Sequence, residues 1–165
     1  MCEKYRTQYG KNFISTMPTN LCGEGDNFHP DHSHVIPGLL RRFHEAKMEQ
    51  RPGVVIWGTG SRRREFLYVD DLAEALYVLM QRYEGESTIN VGTGQDCTIL
   101  EVAELIRDTV RYTGRVVTDH SKPDGTPRKV LDVAKVRALD WGPRYSLKEG
   151  LRLAYDWALK SGALR

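Results

Sequence analysis

At 165 residues the chain suits one domain, long enough to bury a single core. Its residues are 40% apolar and 28% charged with a net charge of +2, which describes a globular protein and makes no electrostatic case for nucleic acid or a membrane surface. No apolar run approaches bilayer-spanning length and residues 1–10 are polar, unlike a secretory signal; Cys2, Cys22 and Cys97 are far apart, odd in number and without a CxxC pair, as expected of reduced thiols in a cytoplasmic protein.

Residues 1–9 read as the last turns of a helix closing at Gly10, so a segment upstream is expected. Residues 12–17 read as a strand stopped by Pro18, and the Gly, Asn, Asp, His and Pro of 23–33 as a loop. Val35, Ile36, Leu39, Leu40 and Phe43 recur at helical spacing, which predicts a helix over 33–48 with Pro37 near its start. A short buried strand is predicted at 54–57. Asp71 and Glu74 then read as a D-x-x-E start for a helix whose inner face is Leu72, Leu76, Leu79 and Met80.

A strand at 88–91 is followed by Thr98 and Glu101, a capping box for a helix burying Ile99, Val102, Ala103, Ile106 and Val110. Beyond it lie a strand at 115–118, a short helix at 132–139 ending near Gly142-Pro143, and a last helix capped by Ser146 and Glu149 with Leu147, Leu151, Ala154 and Ala158 inward. Single strands alternating with helices predict an α/β fold.

Three segments have candidate chemistry. Gly23-Glu24-Gly25, Gly58-Thr59-Gly60 and Gly92-Thr93-Gly94 each give GxG, but a dinucleotide fingerprint needs a third glycine where Phe28, Arg63 and Cys97 stand, so each reads as a turn. His29, His32 and His34, with Asp26 and Asp31 nearby, imitate a zinc site, yet without Cys, and on a loop holding Pro30, they read rather as surface histidines; no metal is expected. Arg42, Arg62, Arg63, Arg64, Arg128 and Lys129 suit a diphosphate, which guanidinium grips with paired charge-assisted bonds, although basic residues on loops are ordinarily just solvated. Trp57, beside a Gly-Thr-Gly turn, can pack on a base or sugar face.

Met17-Pro18-Thr19-Asn20-Leu21-Cys22-Gly23, Asp26-Asn27-Phe28-His29-Pro30, Ser33-His34-Val35-Ile36-Pro37 and Ser121-Lys122-Pro123-Asp124-Gly125-Thr126-Pro127-Arg128-Lys129 together resemble the GDP-L-fucose synthases of the extended short-chain dehydrogenase/reductase superfamily. The resemblance covers essentially the whole chain and about the C-terminal half of a family member. It implies the C-terminal part of a Rossmann-type fold: 1–22 closing the nucleotide-binding domain, 23–165 mainly substrate-binding, and 86–112 returning toward the Rossmann sheet. It also implies a cytoplasmic NADP(H)-dependent epimerase/reductase acting on GDP-4-keto-6-deoxymannose, homodimeric at full length.

By the same resemblance His34 is the proton donor of the epimerisations, a step for which imidazole is chemically suited, and lies by the nicotinamide. Pro18, Thr19, Asn20 and Leu21 touch the cofactor, while Arg42, Trp57, Arg64 and Lys129, with Arg115 and Asp124 beside them, hold the nucleotide sugar. Cys22 stands where the family usually has Tyr. The superfamily's reductive step uses a Tyr four residues before a Lys, and none of the eight tyrosines is so followed. The 165 residues alone are therefore expected to be inactive, with a non-catalytic nucleotide-sugar-binding module as the alternative. An RNA-binding role for Arg62–Arg64 lacks the broad basic face it needs.

Overall fold

The computed structural model describes residues 1–164. In chain order the elements are α1 (Cys2–Tyr9), β1 (Thr16–Pro18), β2 (Asn20–Cys22), α2 (Val35–Met48), β3 (Gly53–Trp57), β4 (Arg63–Arg64), β5 (Phe66–Tyr68), α3 (Val69–Arg82), β6 (Ile89–Val91), β7 (Cys97–Thr98), α4 (Ile99–Val110), β8 (Arg115–Asp119), β9 (Arg128–Lys129), α5 (Ala134–Arg137) and α6 (Leu147–Ser161). The strands pair in parallel as β1 with β6, β2 with β5, β3 with β8 and β4 with β9; β7 joins β4 antiparallel. No described helix is long and apolar enough to cross a membrane.

Local signals account for the helices. Gly10 ends α1 in the left-handed conformation, and full capping boxes start α4 at Thr98/Glu101 and α6 at Ser146/Glu149. In α2 an extended His34 precedes the first turn, and Pro37 falls within that turn, where no intrahelical N–H is required. Ile36, Leu39, Leu40, Phe43 and Ala46 of α2 then bury against Val102, Ala103 and Ile106 of α4 and Leu151 and Ala154 of α6. Each large side chain so buried contributes about 1.5–3 kcal/mol.

Strand β5 joins two cores because successive side chains point to opposite faces. Phe66 belongs to the cluster around α2, α4 and α6, whereas Leu67 packs with Leu79, Ile89, Val91, Val136 and Trp141.

Three expectations need correction. The strand predicted at 12–17 is β1, which begins at Thr16 and contains Pro18. Ile89 N–H donates to the Ser15 carbonyl and Thr19 N–H to the Val91 carbonyl, so odd positions face β6 and the missing Pro18 N–H points away from the ladder. Asp71 does not start α3. The helix begins at Val69, and Asp71 is a buried third-position residue whose carboxylate accepts from Arg144 N–H at 3.0 Å and Tyr145 N–H at 3.3 Å. Leu76 and Met80 are exposed; Asp71, Ala75 and Leu79 form the fully buried stripe of that helix.

Candidate functional site

Strands β1 and β2 part company at Thr19, one pairing with β6 and the other with β5. Thr19 Oγ1 and Asn20 Nδ2 donate to the Glu65 carbonyl at 3.2 and 2.8 Å, which fixes the fork. Glu65 itself is fully buried. Its Oε1 accepts from Gly94 N–H at 2.8 Å and Thr93 Oγ1 at 3.3 Å, and its Oε2 from Leu131 N–H at 2.8 Å. A side chain at Gly92 would meet Oε1 at 2.2 Å, so the turn after β6 must hold glycine there. Sequence reading missed Glu65: a lone carboxylate between Arg64 and Phe66 gives no local sign of partners 28 to 66 residues away.

At this fork opens a cavity of about 530 Å³. Its walls include Thr19, Asn20, Leu21 and Cys22 from the strand end, Asp26 and His34 from the loop before α2, and Arg64. Pro18 is exposed and does not contribute to the wall. Burial pushes the Cys22 thiol up to about 12, with the Asp26 charge adding to it, so the thiol stays protonated and inert at neutral pH. Burial also raises Asp26, opposed by the Asn27 N–H and by the positive potential of His34. His34 is thus an exposed imidazole at the cavity edge, near enough to the Asp26 carboxyl to act on its charge.

A second cavity of about 230 Å³ adjoins the first, and Val35 and Arg64 line both. Its walls bring together Arg42, Trp57, Arg62 and Asp124. Burial lowers Arg42, whose guanidinium donates to the Val55 carbonyl at 3.0 Å. Trp57 is 70% exposed, with the Lys122 ammonium 5.7 Å from its ring centre. Asp124 fastens the loop after β8 to the Gly58–Gly60 turn: it accepts from Thr59 N–H at 3.1 Å and Thr59 Oγ1 at 3.0 Å, and pairs with Arg62 at 3.1 Å. These bonds hold its carboxyl below the usual range, the Thr59 N–H foremost. Gly58, at φ +75°, disfavours a side chain, because a Cβ would be strained there and would displace Asp124 Oδ1, 2.3 Å away.

Of the remaining expected residues, Lys129 is exposed and opposite Arg64 in the β4–β9 register, outside the walls of either cavity. Arg115 pairs with Gly53, at the other end of the β3–β8 ladder from Trp57. Four residues of strand put it about 13 Å from the cavity end. His29 and His32 stack on each other at 4.8 Å, apart from His34, and among the described residues no three His, Cys, Asp or Glu side chains converge as metal ligands.

Parallel strands whose carboxyl ends open on a cavity, with helices packed against them, define a Rossmann-type α/β protein with its ligand site at the strand ends. The chain belongs to the NAD dependent epimerase/dehydratase family, whose model matches residues 1–92. It is 54% identical over 160 residues to GDP-L-fucose synthase 1 of Arabidopsis thaliana, covering 97% of this chain and 50% of that protein. Against GDP-L-fucose synthase of Escherichia coli K12 the identity is 54% over 170 residues, covering 98% and 53%. The crystal structure of a GDP-L-fucose synthetase from Naegleria fowleri bound to NADP superposes with a TM-score of 0.88 at 31% identity, covering 96% of this chain and 51% of that one. The chain thus spans about half the length of the curated relatives it matches.

Proposed function

We propose that the chain is the mainly substrate-binding half of an NADP(H)-dependent enzyme that epimerises GDP-4-keto-6-deoxymannose and reduces it to GDP-L-fucose. The observation that carries this reading is the joining of the two cavities at Val35 and Arg64. A molecule lying across the junction would set its sugar near His34 and its diphosphate and base near Arg64, Arg42, Trp57 and Asp124. The names of the relatives agree with that choice of ligand.

In this reading His34 donates the proton in the epimerisations, and Arg64 and Arg42 clamp the diphosphate. Trp57 offers an exposed indole face, Asp124 holds the loop that closes the second cavity, and Lys129 adds charge beside Arg64. Arg115 has no contact in it. The first cavity fits the nicotinamide end of NADP(H): Thr19, Asn20 and Leu21 present strand-end backbone and His34 stands at the rim. Bound there, the cofactor would supply the hydride. Residues 1–22 together with 86–112 form the nucleotide-domain side, and 23–165 mainly the substrate side, of a cytoplasmic homodimeric enzyme.

The 165 residues contain neither a GxxGxxG turn nor a Tyr-x-x-x-Lys pair, and this favours binding without turnover for the chain by itself. Calorimetry with GDP and UDP tests the ligand class: preference for GDP is expected, and equal affinity would remove the reading. The isolated chain is expected to oxidise NADPH with the ketosugar no faster than a buffer blank; measurable turnover would refute the non-catalytic expectation.

A further inference from the structure

The β7–β4–β9 sheet presents two cross-strand pairs of like charge: Arg63 opposite Arg128, and Arg64 opposite Lys129. Alternation sends the pairs to opposite faces. Like charges directly opposite one another repel, so a counter-anion favours each pair. On the first face Asp96 supplies it to both arginines, and the Glu101 carboxylate lies 4.0 Å from Arg63. Asp96, its side chain only 5% exposed, accepts from Arg63 Nε at 2.9 Å through Oδ1 and from Arg128 Nε through Oδ2, and its backbone carbonyl accepts from Arg63 at 3.0 Å. The two guanidiniums, Arg128 first, hold the Asp96 carboxyl below its usual range.

On the second face there is none. Among the described residues no carboxylate pairs with Arg64 or Lys129, and the Arg64 guanidinium donates only to the carbonyls of Arg63 and Thr126, at 2.8 and 2.7 Å. Arg62, the remaining arginine of the triplet, is neutralised by Asp124.

We propose that Asp96 is a positioning residue for anion binding: it supplies the counter-charge that lets β4 and β9 pair, and that pairing sets Arg64 and Lys129 together as a cation pair awaiting a diphosphate. The inference rests on the reading of Arg64 as the diphosphate clamp. Asp96 never touches the ligand. It acts by satisfying one like-charge pair, which leaves an anion to be claimed only on the opposite face, where Arg64 lines both cavities and Lys129 stands outside their walls.

The probe is inorganic pyrophosphate, titrated calorimetrically into the 165-residue chain at low salt. Asp96→Asn keeps the shape and removes the charge, and is expected to weaken pyrophosphate binding roughly tenfold, while Asp96→Glu restores it. Adding Arg128→Gln to Asp96→Asn removes the repulsion and should recover affinity to within about threefold, which a merely structural lesion would not allow. Arg128→Gln alone, which keeps the fold's counter-charge balanced, should bind within about twofold of the parent even if Asp96→Asn does not fold. A loss in that variant as large as in Arg64→Ala makes Arg128 an anion ligand and overturns the proposal, as does unchanged affinity in Asp96→Asn or a parent chain that takes no pyrophosphate. A parent that binds pyrophosphate but does not prefer GDP to UDP removes the proposed function and leaves Asp96 in its role.

Discussion

The two cavities meet at one arginine but are built by different means. The first is framed by backbone: a strand fork pinned through the Glu65 carbonyl, with the Glu65 carboxylate holding the turns beyond β6 and β9. The second is framed by side-chain charge, with Arg62 on Asp124 and Arg42 on the β3 edge. A backbone-framed site fails when the fold fails; a charge-framed site can lose its ligand while the fold survives. Stability and binding should therefore separate by residue.

The largest effect expected is from Glu65→Ala, which takes the carboxylate acceptor from the half-buried Gly94 and Leu131 N–H groups. A loss of about 3 kcal/mol or more is expected in urea unfolding, a large share of a domain's stability. A change under about 0.5 kcal/mol would break the comparison, because it would mean the fork does not depend on Glu65. Arg64→Ala should do the reverse. GDP affinity should fall by roughly tenfold or more, the scale of hydrogen bonds to charged groups, with the unfolding midpoint nearly unmoved.

Ser146→Ala sharpens the contrast from outside both cavities. Losing the α6 capping box should cost about 1 kcal/mol and leave GDP binding intact, so altered affinity would show the helix cap to be coupled to the site. The smallest effect concerns pH. His44 shares a 2.9 Å hydrogen bond with Tyr155, and burial, followed by Lys47 and Arg41 against the pull of Glu45, lowers its folded pKa. A depressed pKa contributes stability that is full above the ordinary value of about 6.5 and is lost as pH falls toward the folded value. His44→Asn should flatten the stability slope between about pH 6.5 and 5 relative to the parent, and identical slopes would show that His44 contributes nothing there.

What the sequence displayed and what it hid divide along chain distance. Thr98/Glu101 and Ser146/Glu149 were legible because a capping box is complete within four residues, and the stripe of α2 because it repeats along one helix. Strands β2, β4, β5, β7 and β9 were not, since two or three residues carry no periodicity and their partners lie far along the chain. Asp71 misled for the same reason: its spacing to Glu74 looks like a helix start, while its real partners are Arg144 and Tyr145. At the site, His34, Arg42, Trp57, Arg64 and Asp124 were singled out by family resemblance, and all five line a cavity. Glu65 and Asp96, which hold that arrangement together, lie outside any motif, because a counter-charge is recognised only after the strands it serves have been paired.

Arg42 has one more consequence. Pro52 O and Gly58 N bond to β8, so the even positions of β3 face that neighbour and Val55 shows its carbonyl to the open side. The Arg42 guanidinium occupies that carbonyl, beside the exposed side chains of Val55, Trp57 and Val117. An unpaired strand edge with apolar residues next to it is a template for a stray chain to add itself. The arginine proposed to hold the diphosphate thus also covers part of a free strand edge, and a substitution made there to retune the pocket is expected to uncover it.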